Sequence, residues 1–390
     1  MYVYQRNLKH HSRHSIMLKP EVFLNSLRDC GIQFFAGVPD SLLKQICACI
    51  TDSLSPEDHI ITANEGAAIG LAIGYHIATR EVPLVYMQNS GLGNVVNPLL
   101  SLASPEVYSI PLVLLIGWRG RPGVKDEPQH VHQGRVTESM LSVMDIPVIV
   151  LGEDHSAAHE DVNWAVSEAK RINGPVALLV KKGTFDSYSM TPQSANVPLE
   201  REEAIVKIAS SIEDNAAVVC TTGMPSRELF EYRARTGARH ETDFLTVGGM
   251  GHASQIAMGI ALQKPDRPVY CIDGDGAALM HMGSLAISGM SGASNFVHLI
   301  VNNGAHESVG GQPTVGMKVD FPAIATACGY ASAVRVSTES EIDLALAAAR
   351  EVDGPAFIEI FVKTGHRADI GRPTSTPKQN KQDLMDFLSR

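Results

Sequence analysis

No apolar run in this 390-residue chain approaches the roughly 18 residues needed to cross a bilayer, and the longest, such as 111–117, fall well short. No membrane partner is expected. Positive charge is also scarce: 32 Lys and Arg stand against 42 Asp and Glu, a formal net charge of -10. Sequence-independent nucleic-acid binding needs a basic surface that releases counterions, so no nucleic-acid partner is expected, although a local basic pocket remains allowed. CxxC pairs are missing among the six cysteines, Cys30, Cys47, Cys49, Cys220, Cys271 and Cys328. Scattered thiols suit a reducing compartment, so buried, inert cysteines and a cytoplasmic location are expected. Residues 1–16 contain no acid and no apolar core, so they are not expected to form a secretory signal. They are expected to form a disordered tail ahead of a second start at Met17, with an organelle-targeting extension as the alternative.

Hydrophobic residues make up 44% of the chain, enough for two packed cores in a chain longer than one ordinary domain. A weak internal repeat supports two domains. Residues 173–183 and 353–365 both read as the end of a helix, a tight Gly-Pro turn, then a strand, preceded by helical periodicity at 160–172 and 339–352. Apolar runs of strand length at 83–87, 111–117, 147–151, 217–220, 269–272 and 297–301 alternate with helical patterns. That alternation predicts an α/β protein with two doubly wound parallel-sheet domains of similar topology. The first spans 17–184, the second 199–390, and the polar, Pro-containing stretch 185–198 is the expected linker.

In doubly wound sheets ligands sit beyond the carboxyl ends of the strands. Residues 269–272 read as such a strand, 273–276 as its exit turn and 277–288 as the following helix. The turn carries Gly274, Asp275 and Gly276, where backbone can approach a phosphate and the helix dipole favours an anion. The next strand ends at Asn302 and Asn303. Mg²⁺ takes few protein oxygens plus phosphate oxygens, so one carboxylate, one carboxamide and one backbone carbonyl would suffice. Two further stretches stand out. Residues 63–70, Ala-Asn-Glu-Gly-Ala-Ala-Ile-Gly, place the lone acid Glu65 at the opening of a helix of small apolar residues. Residues 247–253, Val-Gly-Gly-Met-Gly-His-Ala, form a glycine-rich loop around Met250. An acid in the first turn of a helix is also favourable by itself, and a methionine is also ordinary core filler.

Taken in chain order, the three motifs resemble those of the thiamine diphosphate-dependent decarboxylases, over nearly the whole chain from Leu18 onward. The resemblance implies thiamine diphosphate and Mg²⁺ as cofactors. It implies Asp275, the Asn303 side chain and the Ala305 carbonyl as metal ligands, with Gly274 and Gly276 at the diphosphate. Glu65 would exchange a proton with the cofactor's aminopyrimidine ring and so activate the thiazolium. Gly248 would accept a hydrogen bond from that ring, and Met250 would bend the cofactor. The larger decarboxylases carry a middle domain where this chain has only a linker, and the compact form resembles the phosphonopyruvate decarboxylases, with the sulfopyruvate decarboxylases as near relatives.

That closer resemblance rests on 37–44, 303–314 and 367–374. It implies a small-molecule 2-oxo acid substrate, decarboxylated without oxidation to phosphonoacetaldehyde and CO₂ in phosphonate biosynthesis, with sulfopyruvate or another short 2-oxo acid as the alternative. A non-catalytic, cofactor-binding regulatory subunit is the alternative of a different class. Asp40 and Ser41 are candidates for proton handling after CO₂ leaves, or else cap the helix expected from Leu42. His306 and Glu307, just past the metal ligands, would approach the thiazolium. Arg119, Arg121, Lys125, Arg367 and Arg372 lie in strand-exit loops and are candidates for the substrate's anionic groups, or are solvated surface cations. Gln88 and Asn89 could hold the substrate carboxylate or cap the pocket; the pair His130 and His132 reads as a metal site, a proton relay or an ordinary loop. Family members place each site between subunits, so a homodimer or homotetramer is implied, with Glu65 and Asp275 of one site from different chains.

Overall fold

Every residue of the apolar run Leu112–Gly117 is buried, as a strand covered on both faces requires. The computed structural model describes residues 17–191 and 197–390, so the tail expected at 1–16 lies outside it. The chain divides after residue 192 into two compact units.

In the first unit six parallel strands, β1 (Phe35–Gly37), β2 (His59–Ile61), β3 (Leu84–Gln88), β4 (Leu112–Gly117), β5 (Val148–Val150) and β6 (Pro175–Val180), pair in the order β2-β1-β3-β4-β6-β5. Side chains alternate across this sheet: Tyr86, Val113 and Leu115 pack with Phe23 and Ile46 on one face, Val85, Met87 and Leu114 with Ile69 and Leu99 on the other.

The second unit contains β7 (Ala217–Cys220), β8 (Asp243–Leu245), β9 (Val269–Gly274) and β10 (Phe296–Asn302), then a short antiparallel ladder of β11 (Ala305–His306) and β12 (Gln312–Pro313), and finally β13 (Ser332–Val336) and β14 (Ala356–Phe361). Its main sheet runs β13-β14-β10-β9-β7-β8. With the ladder set aside, both units thread their six parallel strands in the same order, second-first-third-fourth-sixth-fifth. The repeat seen in the sequence is this topology: β6 and β14 are the sixth strand of each sheet, and both follow a Gly-Pro turn. The helices ahead of those turns are His155–Ile172, capped by Asp154, and Glu339–Ala349, opened by a capping box between Thr338 and Glu341.

Three boundaries differ from expectation. Phe185 and Asp186 belong to the first unit, past its expected end at 184: Leu18 donates to the Thr184 carbonyl at 2.8 Å, Asp186 donates to the Leu18 carbonyl at 2.9 Å, and the Phe185 ring is buried in the first core. An apolar ring kept from water outweighs the polar composition around it. The helix expected from Leu42 starts at Lys44, because the Asp40 carboxylate first organises a turn over residues 41–43. The helix expected over 277–288 is two short helices, Asp275–Met280 and Ser284–Gly289. His281 leaves helical geometry at φ -129° and ψ 46°. Its ring packs on Gly251, where a Cβ would come within 2.6 Å of it.

Candidate active site

The polar candidates of the second unit gather at the carboxyl ends of β9 and β10, on turns that leave a buried parallel sheet. Asp275 is the residue that follows β9, and it is 3% exposed. Burial pushes its carboxyl up to about 6, against hydrogen bonds from the Thr314 hydroxyl and from main-chain amides including those of Gly276 and Asn303. The Thr314 hydroxyl donates to Oδ2. The donors on it are neutral, so this buried carboxylate could hold a metal cation.

The two asparagines after β10 divide their work. Asn302 is fully buried; its Nδ2 donates to Glu359 Oε1 at 2.7 Å and its Oδ1 accepts the Gly304 amide at 3.0 Å, so it belongs to the sheet. Asn303 lies one residue beyond, where its Nδ2 donates to Glu307 Oε2 at 2.8 Å and its Oδ1 accepts the Ala305 amide at 3.1 Å. That pattern fixes which end of the amide is oxygen and leaves one Oδ1 lone pair for a metal. Asp275, Asn303 and the Ala305 carbonyl supply oxygens of the kind that could hold Mg²⁺.

His306 lies against Gly276, whose Cβ, if present, would meet the ring at 3.0 Å. Enclosure pulls its imidazole down to about 4, so it is neutral at neutral pH. The loop with Gly248 and Met250 leads into the helix Ala253–Gln263 and, through Gly251, touches Ala277 and His281 of the segment that opens with Asp275. Glu307 is a hub. Its Oε1 accepts from the Gly365 amide at 2.8 Å and from His366 Nδ1 at 3.0 Å, and its Oε2 accepts from Asn303 and from Arg201 Nη1. Burial would raise its pKa, but the Arg201 charge and these hydrogen bonds outweigh it and hold the carboxyl below its ordinary value. Arg201 is in turn buried and forked onto Glu228, with Nη2 to Oε1 at 2.7 Å and Nε to Oε2 at 2.9 Å.

In the first unit Glu65 is the first residue of the helix Glu65–Thr79, which Asn64 caps by accepting the Ala67 amide. Its side chain is 5% exposed and turns toward the short helix Leu92–Pro98 after β3, where Asn94 Nδ2 donates to Oε2 at 2.7 Å. Asp40, Ser41 and Arg119 come together: Arg119 Nη1 donates to Ser41 Oγ at 2.7 Å, while its Nε and Nη2 grip Asp126 at 2.8 and 2.5 Å. The Asp40 carboxyl is fully buried, and burial pushes it up to about 6 against bonds from the Leu42 and Leu43 amides and the Arg119 charge. Asn89 braces the same loop, donating to the Arg119 carbonyl at 2.8 Å and to Thr137 Oγ1 at 2.9 Å.

The remaining cations separate. Arg121 stands over the Trp118 ring at 5.6 Å and, with Lys181 and Lys182, lines a cavity of about 300 Å³. Lys125 and Arg372 are exposed. Arg367 is gripped by three carboxylates, Glu202 at 2.7 Å, Asp369 at 3.0 Å, and Glu231. His132 Nδ1 meets Arg135 Nη2 at 2.7 Å. Among the described residues no third ligand joins His130 and His132; the group with metal-ligand chemistry outside the Asp275 site is Cys271, Asp273 and His298, all buried in the sheet.

Thr314, Asn94, Arg201 and Asn302 carry contacts that sequence reasoning did not assign. Thr314 closes the stretch 303–314 and Asn94 follows Gln88 and Asn89, but their partners are 39 and 29 residues away, and no spacing rule connects them.

The family described as "Thiamine pyrophosphate enzyme, N-terminal TPP binding domain" matches residues 20–143, and "Thiamine pyrophosphate enzyme, C-terminal TPP binding domain" matches residues 221–360. The phosphonopyruvate decarboxylase of Streptomyces hygroscopicus is 34% identical over 390 residues, covering 96% of this chain and 94% of the relative. The phosphonopyruvate decarboxylase of Streptomyces viridochromogenes is 34% identical, covering 93% of each chain. The sulfopyruvate decarboxylase of Methanosarcina acetivorans is 25% identical over 93% of this chain and 96% of its own length. The chain belongs to the thiamine pyrophosphate-dependent decarboxylases, in the family of the phosphonopyruvate decarboxylases.

Proposed function

We propose that this decarboxylase takes 3-phosphonopyruvate to phosphonoacetaldehyde and CO₂ without oxidation, using Mg²⁺ with its thiamine cofactor, as a step of phosphonate biosynthesis. The observation that carries the substrate is the identity with phosphonopyruvate decarboxylases along nearly the whole chain, above that with a sulfopyruvate decarboxylase.

Thiamine diphosphate, when bound, supplies the electron sink that accepts the pair from the breaking carbon–carboxylate bond. Asp275, Asn303 and the Ala305 carbonyl hold the Mg²⁺ that anchors its diphosphate beside Gly274 and Gly276. Gly248 and Met250 orient its pyrimidine, and Glu65 holds the proton exchanged there. Asp40, with a carboxyl near 6, and Ser41 are the source of the proton that completes the aldehyde, and His306, neutral beside the metal ligands, is a group that accepts or relays a proton rather than an acid. Arg121 and Lys125 stand for the phosphonate; Arg119, Arg367 and Arg372 are secondary candidates.

The assembly is a homodimer or homotetramer in which Glu65 of one chain serves Asp275 of another. The helix that opens with Glu65 supports this, since it is apolar yet leaves Leu71 39% and Ile77 69% exposed. Six free thiols suit a cytoplasmic location.

The deciding experiment compares CO₂ release by the purified enzyme from phosphonopyruvate, sulfopyruvate and pyruvate with cofactor and Mg²⁺ present. A kcat/KM at least about tenfold higher for phosphonopyruvate is expected, the ratio that about 1.4 kcal/mol of transition-state discrimination gives. Preference for another acid would remove the substrate assignment, and no turnover of any would favour a regulatory subunit.

A further inference from the structure

The four lone-pair sites of the Glu307 carboxylate are all taken. Oε1 faces the Gly365 amide and His366 Nδ1; Oε2 faces Asn303 Nδ2 and Arg201 Nη1. An ionised carboxylate accepts about four hydrogen bonds, so none is left with which to take a proton from a reacting group. Glu307 is therefore ill-placed as an acid or base toward substrate, though it sits two residues past Ala305.

Arg201 is 4% exposed and Glu228 1% exposed, so a full guanidinium and a carboxylate are buried, with a second carboxylate beside them. Taking such groups from water costs more than apolar packing of the same volume, and a buried ion pair is weak evidence for stability. What it provides is direction. With Nε and Nη2 fixed on Glu228, Arg201 has one arm left, and that arm ends on the Glu307 oxygen that also receives the Asn303 amide.

We infer that Arg201 and Glu307 are positioning residues for the metal, a buried relay Glu228–Arg201–Glu307–Asn303 that locks the Asn303 carboxamide with its oxygen toward Mg²⁺. This rests on the reading of Asn303 as a Mg²⁺ ligand. Outer partners that orient a ligand side chain are worth 10- to 100-fold in metal affinity. Without its Arg201 clamp, Glu307 keeps Oε1 on Gly365 and His366 but loses the charge that fixes Oε2, so the Asn303 amide is held less firmly.

The test is the Mg²⁺ concentration giving half of the cofactor-dependent rise in thermal midpoint, at fixed thiamine diphosphate. It is measured for the parent, Glu307→Gln, Arg201→Lys, Asn303→Ala and the doubles of Asn303→Ala with each. Glu307→Gln and Arg201→Lys are expected to raise that concentration at least about 10-fold in the parent background. In the Asn303→Ala background each should change it less than about twofold, because the group they act through is gone. At saturating Mg²⁺, Glu307→Gln should recover turnover to within about threefold of the parent.

Equal shifts in both backgrounds, no shift in either, or turnover still down about 100-fold at saturating Mg²⁺ would each overturn the inference while leaving Asn303 as ligand. A parent indifferent to Mg²⁺, or an Asn303→Ala variant equal to the parent, would overturn the ligand reading and the relay with it. Should Arg201→Lys not fold, Glu307→Gln, which keeps the shape of the side chain, carries the comparison alone.

Discussion

Asn94 donates its side-chain amide to Glu65 Oε2 at 2.7 Å, and Gly91 lies under the other carboxylate oxygen so closely that a Cβ there would sit 2.4 Å from Oε1. One polar contact and one steric contact thus hold a buried acid at the start of a helix. Glu65→Gln keeps both contacts and removes only the exchangeable proton. Its thermal midpoint should equal the parent's, while CO₂ release falls by about 10²-fold or more. Gly91→Ala should also lose turnover, since the methyl displaces the carboxyl. A Glu65→Gln enzyme as active as the parent would end the assignment of Glu65 to proton exchange.

The neighbours Asn302 and Asn303 should respond differently to the same truncation. Asp275→Ala is expected to fold and to lose the Mg²⁺-dependent stabilisation by thiamine diphosphate, which at 100 times the dissociation constant amounts to about 2.7 kcal/mol, and Asn303→Ala to fold and to need more Mg²⁺ for it. Asn302→Ala leaves buried Glu359 short of a donor, so it should cost about 1–3 kcal/mol of stability and keep the cofactor response. Thermal scans with and without EDTA separate the two behaviours, and the reverse pattern would assign the metal to Asn302.

Asp40 predicts a pH dependence of stability. Its carboxyl sits near 6 in the folded protein against an ordinary 3.8, so between those values the native state binds its proton more tightly than the unfolded chain does. Stability therefore declines as pH rises through that window, by up to about 3 kcal/mol for a shift of about two units. Asp40→Asn is neutral throughout and escapes the decline. The variant's thermal midpoint minus the parent's should increase from about pH 4 to about pH 7, and a constant difference would contradict the placement of the proton on Asp40.

Arg367, for all its position after the last strand, faces Glu202, Glu231 and Asp369. Glu231 also holds the segment around Gly371, whose amide donates to it. Arg367→Ala should lower the thermal midpoint and leave KM for the 2-oxo acid within about threefold, whereas Arg121→Ala should raise KM by about tenfold or more. A larger KM effect from Arg367 would mean that substrate displaces its acids.

The sheets were legible because strands buried on both faces write long apolar runs: 111–117 became Leu112–Gly117 and 217–220 became Ala217–Cys220. Three-residue strands such as His59–Ile61 and Asp243–Leu245 write no such run, and only their parallel neighbours define them. Asp275 and Glu65 were visible because each opens a helix after a glycine-rich or polar turn. Asn302 and Asn303 looked alike in sequence; their difference is that one is the last residue of a buried strand and the next is past its end. Arg201 was not readable at all, since its meaning depends on Glu228 and Glu307, 27 and 106 residues away.

Each unit closes its own six-stranded sheet, and among the described residues neither sheet borrows a strand from the other half. The peptide that joins them is thus not needed to complete either one. Its contribution is stoichiometric: every ribosome that completes a unit bearing Glu65 goes on to make one bearing Asp275, so the two units are produced in equal number.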